Sequence, residues 1–284
     1  MRGMRLLNNN DANRIKDIQK EIKFLTNSDN RLDILYCLYK SPHTLKEIHE
    51  KTGLNNSSIS INISDLENKN YVINKNDVYY LTNSSKMILT NIFYLNKSIN
   101  FFDCNADFLN SHKISKLGIN ALKDMSYIGD SQLVEANHLD IYKVIRLFKD
   151  FSLGSKSIKT IFPFMHPQIN DLLNDWFSND VDVKLILEKR VSDVFIDAVR
   201  NFKFEKDSKS EISVKIFEEA LDFALVVADK GIILGFNKED GKFDQNAVYI
   251  SEDEDAIVWG RNLFEEYEKL CSEYISLNEL MEES

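Results

Sequence analysis

The punctuation between residues 42 and 56 constrains this chain more tightly than any other stretch. Pro42 ends whatever helix precedes it. Thr44 stands three residues before Glu47, the spacing at which a hydroxyl and a carboxylate cap a new helix reciprocally. Gly53 suits the left-handed turn that closes that helix, and Asn55 or Asn56 is suited to cap the next. Two short helices joined by a tight turn are therefore written between Leu45 and Glu67. Upstream, Leu32, Ile34, Leu35 and Leu38 mark the apolar face of an earlier helix. Downstream, Tyr71–Ile73 and Val78–Leu81 read as two strands around the turn Asn74–Asp77.

Three helices followed by a hairpin make a winged helix. In its last helix, read as Asn55–Glu67, Ile59, Ile63 and Leu66 share one face at i, i+4 and i+7. At 100° per residue, Ser57, Ile61, Ser64 and Asp65 point the other way, with Ser58 and Ser60 on the flanks. A small, hydroxylated face of this kind can lie close to a DNA major groove, where Ser and Asn bond base edges and phosphates. The candidate contacts are Asn55, Asn56, Ser57, Ser58, Ser60, Ile61, Asn62 and Ser64 on this helix. Lys46 and Lys51 on the preceding helix and Lys75 and Asn76 in the wing complete the set.

Charge is distributed unevenly. The whole chain of 284 residues carries a net charge of −10, which by itself argues against a polyanionic partner. Residues 1–100 nevertheless hold 14 Lys and Arg against 10 Asp and Glu, whereas the remainder holds 21 against 35. A mildly basic head on an acidic body fits a DNA-binding domain joined to a sensor or dimerisation domain. The N-terminal stretch MRGMRLLNNNDANRIKD has no long apolar run, and no segment reaches the roughly 18 apolar residues a span requires. The expectation is a cytoplasmic protein with no membrane partner. Cys37, Cys104 and Cys271 are too far apart for metal-ligand spacing, and Cys37 reads as a buried thiol.

Flanking the winged helix are two amphipathic stretches. Ile15, Ile18, Ile22 and Leu25 lie at helical spacing, with packing inside the domain the simpler expectation. After the wing, Met87, Ile88, Ile92, Leu95 and Ile99 form a second stripe, long enough to leave the domain and pair with a second copy. The reading divides the chain into a winged helix-turn-helix domain at 1–100, a helical connector at 101–130 and an α/β domain at 131–284. From Ser131 onward, strand-like runs (SQLVEA, SIKTIFP, VDVKLIL) alternate with helical ones (DIYKVIRLFKDF, QINDLLNDWF, SDVFIDAVRNF). SVKIF, FALVVA and GIILGF then follow as strands, and Asp255–Leu277 as a long closing helix. The fold class is thus α+β or α/β, with a mixed sheet antiparallel towards its end.

The segment TLKEIHEKTGLNNSSISINISDLENKNYV, Thr44–Val72, resembles the winged helix-turn-helix core of archaeal transcriptional regulators of the ArsR/MarR-like type. Ile61 stands where such helices often carry Arg or another polar residue. The segment FALVVADKGIILGFNKEDGKFDQNAVYISEDEDAIVWGRNLFEEYEKL, Phe223–Leu270, looks like the end of the effector domain of archaeal regulators associated with methanogenesis. The resemblance runs from about Asp29 to Leu270. It implies a transcriptional regulator; taken with the stripe after the wing, the expectation is a homodimeric, sequence-specific DNA-binding protein whose second domain senses a small-molecule effector or a protein partner.

Two rival readings are open. One is an adaptor that uses the winged helix for protein contact. The other is an inactive relative of a phosphodiesterase fold. In the phospholipase D-like pattern a His and a Lys precede an Asp at fixed spacing; here Asp222 and Ala224 occupy the first two places and only Asp229 matches. No Gly-rich phosphate loop, HExxH or GxSxG occurs, so no catalytic residue, metal or cofactor is expected. The aromatic loop carrying Phe164 and His166 has two readings, a packed loop or, as the less favoured alternative, a ligand pocket, with Arg190 as an anion clamp or a surface ion pair.

Overall fold

The computed structural model describes residues 9–152, 154–200, 210–271, 273–277 and 279. The first eight residues, the helix end expected at Asn201–Phe202, and Ser272 lie outside the described residues. The chain folds as two compact units, 1–94 and 95–284.

In the first unit α1 (Asn9–Thr26), α2 (Asp29–Lys40), β1 (His43–Thr44), α3 (Leu45–Thr52), α4 (Asn56–Asn68), β2 (Val72–Lys75) and β3 (Val78–Leu81) follow in order. The helix α5 (Asn83–Asn110) begins here. The strands form a three-stranded antiparallel sheet in the order β1-β3-β2. Ile34, Leu35 and Leu38 of α2, Ile48 of α3, and Ile59, Ile63 and Leu66 of α4 are buried together with Val72 and Leu81 of the hairpin. This is the winged helix that the apolar spacing demanded. The wing's turn is tighter than expected, because β2 runs on to Lys75. Only Asn76 and Asp77 turn the chain, with φ of 53° and 62°. Two consecutive positive φ values match the right-handed twist of a hairpin, and Asn and Asp tolerate them. Asn74 Oδ1 holds the turn by accepting from the Asp77 N–H at 3.0 Å.

One expectation fails in this unit. The stripe of α1 is not packed away: Ile15, Ile18 and Ile22 are 41%, 51% and 51% exposed, and of the expected face Leu25 alone is buried. α1 is instead fastened at its C-terminal half. Lys69 Nζ bonds Glu21 at 2.9 Å, and the Tyr71 hydroxyl donates to the same carboxylate. These bonds, that from Tyr71 first, hold the Glu21 carboxyl below the usual carboxylate range.

The second unit is a mixed sheet between two helical layers. Its strands are β4 (His112–Lys113), β5 (Gln132–Glu135), β6 (Ser157–Phe162), β7 (Asp182–Glu188), β8 (Ile212–Phe217), β9 (Phe223–Ala228), β10 (Gly231–Lys238), β11 (Ala247–Ser251) and β12 (Ile275–Ser276). Its helices after α5 are α6 (Gly118–Lys123), α7 (Lys143–Ser152), α8 (Ile169–Ser178), α9 (Lys189–Arg200) and α10 (Glu254–Glu268). The sheet order is β12-β8-β7-β6-β9-β10-β11-β5, with β4 beside β10. The β6–β7 and β7–β8 pairs are parallel and the others antiparallel. β9 explains why FALVVA is apolar throughout. Ala224, Val226 and Ala228 pack on the side of α7, α8 and α9, whereas Phe223, Leu225 and Val227 pack on the side of α10. Gly260 lets α10 approach closely, since a Cβ there would lie 2.9 Å from the Ile232 side chain.

Residues read as a connector prove to be core: Phe101, Leu109, Leu117, Ala121, Met125 and Ile128 are buried on the α10 side. The closing helix is shorter than expected. It stops at Glu268, and Ile275–Ser276 pairs with β8 instead.

Candidate nucleic-acid interface

α3 and α4 owe their geometry to local bonds. Thr44 Oγ1 accepts from the Glu47 N–H at 3.3 Å, while Glu47 accepts from the Thr44 N–H at 2.8 Å. Gly53, at φ 71°, donates to the His49 carbonyl at 2.9 Å. His49 donates from Nδ1 to the Leu54 carbonyl at 2.6 Å and so pins the turn between the helices. Asn55 caps α4 by accepting from the Ser58 N–H at 2.8 Å.

These bonds leave an outward face on α4. Asn56, Ser57, Ser60, Ile61 and Ser64 are exposed, Ile61 at 64%. Among the described residues none of these five side chains has a hydrogen-bond partner. Three expected contacts are committed elsewhere. Asn62 is 8% exposed and donates to the Ser58 carbonyl at 2.9 Å, so it faces inward and is withdrawn from the candidate surface. Its position, about 100° round the helix from Ile61, lies at the edge of the buried face. Ser58 Oγ accepts from Asn30 at 2.9 Å, which ties α4 to α2, and the Asn55 side chain is used as the cap. Asp65 is likewise held, by Arg31 Nη2 at 3.4 Å.

The candidate cations lie on the neighbouring elements, Lys51 beside Tyr36 and Lys40 of α2. Lys46 and Lys51 are exposed on α3, with Lys46 Nζ 3.8 Å from Glu50. Lys75 and Asn76 are exposed at the tip of the wing, Lys75 Nζ lying 5.7 Å from the centre of the Tyr80 ring.

Around Phe164 and His166 the structure shows a packed loop rather than the alternative ligand pocket. Phe164 and His166 do come together, but the space beside them is about 10 Å³, hardly room for one water. Burial pushes the His166 imidazole down to about 4, and the Gln168 N–H donates to its Nδ1 at 3.1 Å, as suits a neutral ring. Arg190 does not join them. It is exposed and pairs with Glu188, whose side chain is buried, so the surface ion pair is the reading that stands. Ala224 is core, and Asp229 accepts from the Lys156 N–H at 2.7 Å in a turn.

A larger cavity, about 750 Å³, lies elsewhere in this unit, between the end of α5, β5 and the β10–β11 turn. Its buried wall includes His112 and Asp244. His112 Nε2 is 3.1 Å from Asp244 Oδ2, and Lys238 Nζ is 3.3 Å from Oδ1. Cys104 and Glu135 line its exposed side. His112 and Asp244 are 132 residues apart in sequence, and no short-range pattern joins them. Among the described residues there is no cluster of His, Cys, Asp or Glu fit to hold a metal, and no helix long and apolar enough to cross a membrane.

Comparison with known proteins decides the ancestry of both units. Residues 19–100 match the N-terminal domain of the methanogenesis regulatory protein FilR1, and residues 141–270 match its middle domain, in the same order. The chain belongs to the FilR1 regulator family. Methanogenesis regulatory protein FilR1 of Methanothrix harundinacea is 24% identical over 258 residues. That alignment takes in 89% of this chain but 57% of the FilR1 relative, so the chain spans little more than half its length. Among solved structures, TrmBL2, an archaeal chromatin protein, aligns at 13% identity over 84% of this chain and 92% of its own, with a TM-score of 0.37. PigF with SAH aligns at 11% identity over 74% and 81%, with a TM-score of 0.26. Likenesses that distant bear on neither fold nor function.

Proposed function

We propose that the chain is a sequence-specific, homodimeric transcriptional regulator that binds double-stranded DNA through its winged helix. The observation that carries this reading is the outward face of α4. It is exposed, and around Ile61 it is built of short polar side chains with no partners of their own, while α3 and the wing carry exposed lysines. α4 is the element that enters the major groove; Ser57, Ser60 and Ser64 bond base edges or phosphates, and Lys46, Lys51 and Lys75 contact the backbone. Membership of a regulator family supports the same role.

The partner for dimerisation is a second copy of α5. Ile88, Ile92, Leu95, Ile99 and Phe102 recur at 4-3-4-3 spacing, the seam of a two-stranded coiled coil. Ile88, Leu95, Ile99 and Phe102 are 40%, 60%, 47% and 37% exposed, far more than a satisfied seam would be. The second unit senses an effector, for which the cavity beside His112 and Asp244 is the roomier place. No catalytic role is proposed for it.

A contact reading without DNA has one observation in its favour: several cations of the head are already paired, Arg31 with Asp65, Lys69 with Glu21 and Lys46 with Glu50. Binding of the purified chain to labelled random duplex at low and moderate salt separates the two. DNA binding predicts retention that weakens with salt and is reduced by Lys75→Ala. An adaptor predicts no retention at either salt.

A further inference from the structure

Ile61 sits at the middle of the α4 outward face, about 160° round the helix from the centre of the buried side formed by Ile59, Ile63 and Leu66. It is the large apolar side chain of that face, at 64% exposure, and Ser57 and Ser64 flank it one turn to either side. α4 contains no Lys, Arg or Gln. The guanine edge, with two acceptors, is read best by Arg or Lys, so this helix has no strong guanine reader. Apolar contact in the major groove has one natural target, the C5-methyl of thymine. Short serines beside Ile61 keep the helix close enough for that contact, and their hydroxyls, donor and acceptor at once, discriminate little between bases.

We infer that Ile61 is a specificity-determining residue that reads the thymine methyl, so that α4 selects A·T pairs by apolar contact. The inference rests on the DNA-binding reading above and adds the chemical feature recognised. It also accounts for an apolar residue at a position where charge would add affinity: Ile61 supplies discrimination, and the lysines of α3 and the wing supply attraction.

The test uses the full chain and a duplex that it selects from a random pool. Each thymine in turn is replaced by uracil, which removes only the methyl. The expected result is an affinity loss of about fourfold at one or two positions per half-site, the worth of one buried methyl, and none elsewhere. Ile61→Ala should bind the thymine duplex more weakly than the wild type does, and should distinguish thymine from uracil far less sharply. Ile61→Val should keep part of the discrimination. Both variants keep the fold, since the side chain lies outside the core, and an unchanged thermal melt verifies it. Indifference of the wild type to every substitution overturns the inference, as does an Ile61→Ala variant that discriminates as sharply as the wild type; both leave DNA binding intact. If no duplex is retained even at low salt, the DNA-binding reading falls and the inference with it.

Discussion

At the residue scale, the strongest local determinants are hydrogen bonds that the sequence announces by type and spacing. Asn55 is one of them. Asn55→Ala removes the acceptor for the Ser58 N–H, and the first unit should lose about 1 kcal/mol in denaturant unfolding. His166 makes a pH-dependent contribution. Its folded value, about 4, lies below the 6.5 of an exposed imidazole because burial disfavours the charged ring. The unfolded chain therefore binds a proton first as pH falls. The second unit should lose up to about 3 kcal/mol between pH 6.5 and 4, with no further loss from this group below that. Unfolding curves across this range should show a smaller decline for His166→Gln. Much of the candidate interface was legible because a capped helix with three isoleucine and leucine positions fixes which way its serines point. Asn62 was not, since a flank residue is turned inward by a bond to its own helix. Nor could the sequence choose between the two readings of Arg190, because burial of its partner Glu188 comes from strand order rather than from local sequence.

Elements show where local pattern stops being sufficient. The hairpin, α3 and α4 follow from turn residues that admit few alternatives, and β9 from an apolar run bounded by Asp222 and Asp229. Strand β11 and the pairing of Ile275–Ser276 with β8 were hidden, since short strands depend on partners distant in sequence. Spacing finds an amphipathic stripe but cannot say what covers it. The stripe of α1 is one that spacing places inside its unit and the fold leaves exposed. The stripe of α5 predicts its own partner. Leu95→Asp places a charge in the proposed seam at a site 60% exposed, so each chain should fold normally. Sedimentation should then show the monomer at concentrations where the wild type is a dimer. An unchanged dimer would rule out α5 as the seam.

Over the whole molecule, charge separates what the fold joins. The basic excess of residues 1–100 is small, and the acidic remainder repels a phosphate backbone. Attraction to DNA therefore rests on few cations, and the dependence of affinity on salt should be shallow. Lys75→Ala should weaken binding to all sequences alike and lower that salt slope by about one. The central claim, that this winged helix reads DNA, is tested most directly by selection of bound duplexes from a random pool by the purified chain at low salt. The account predicts enrichment of a two-fold symmetric site whose half-sites lie about one helical turn apart. A pool that remains unenriched at low salt would contradict it and return the winged helix to a role in protein contact.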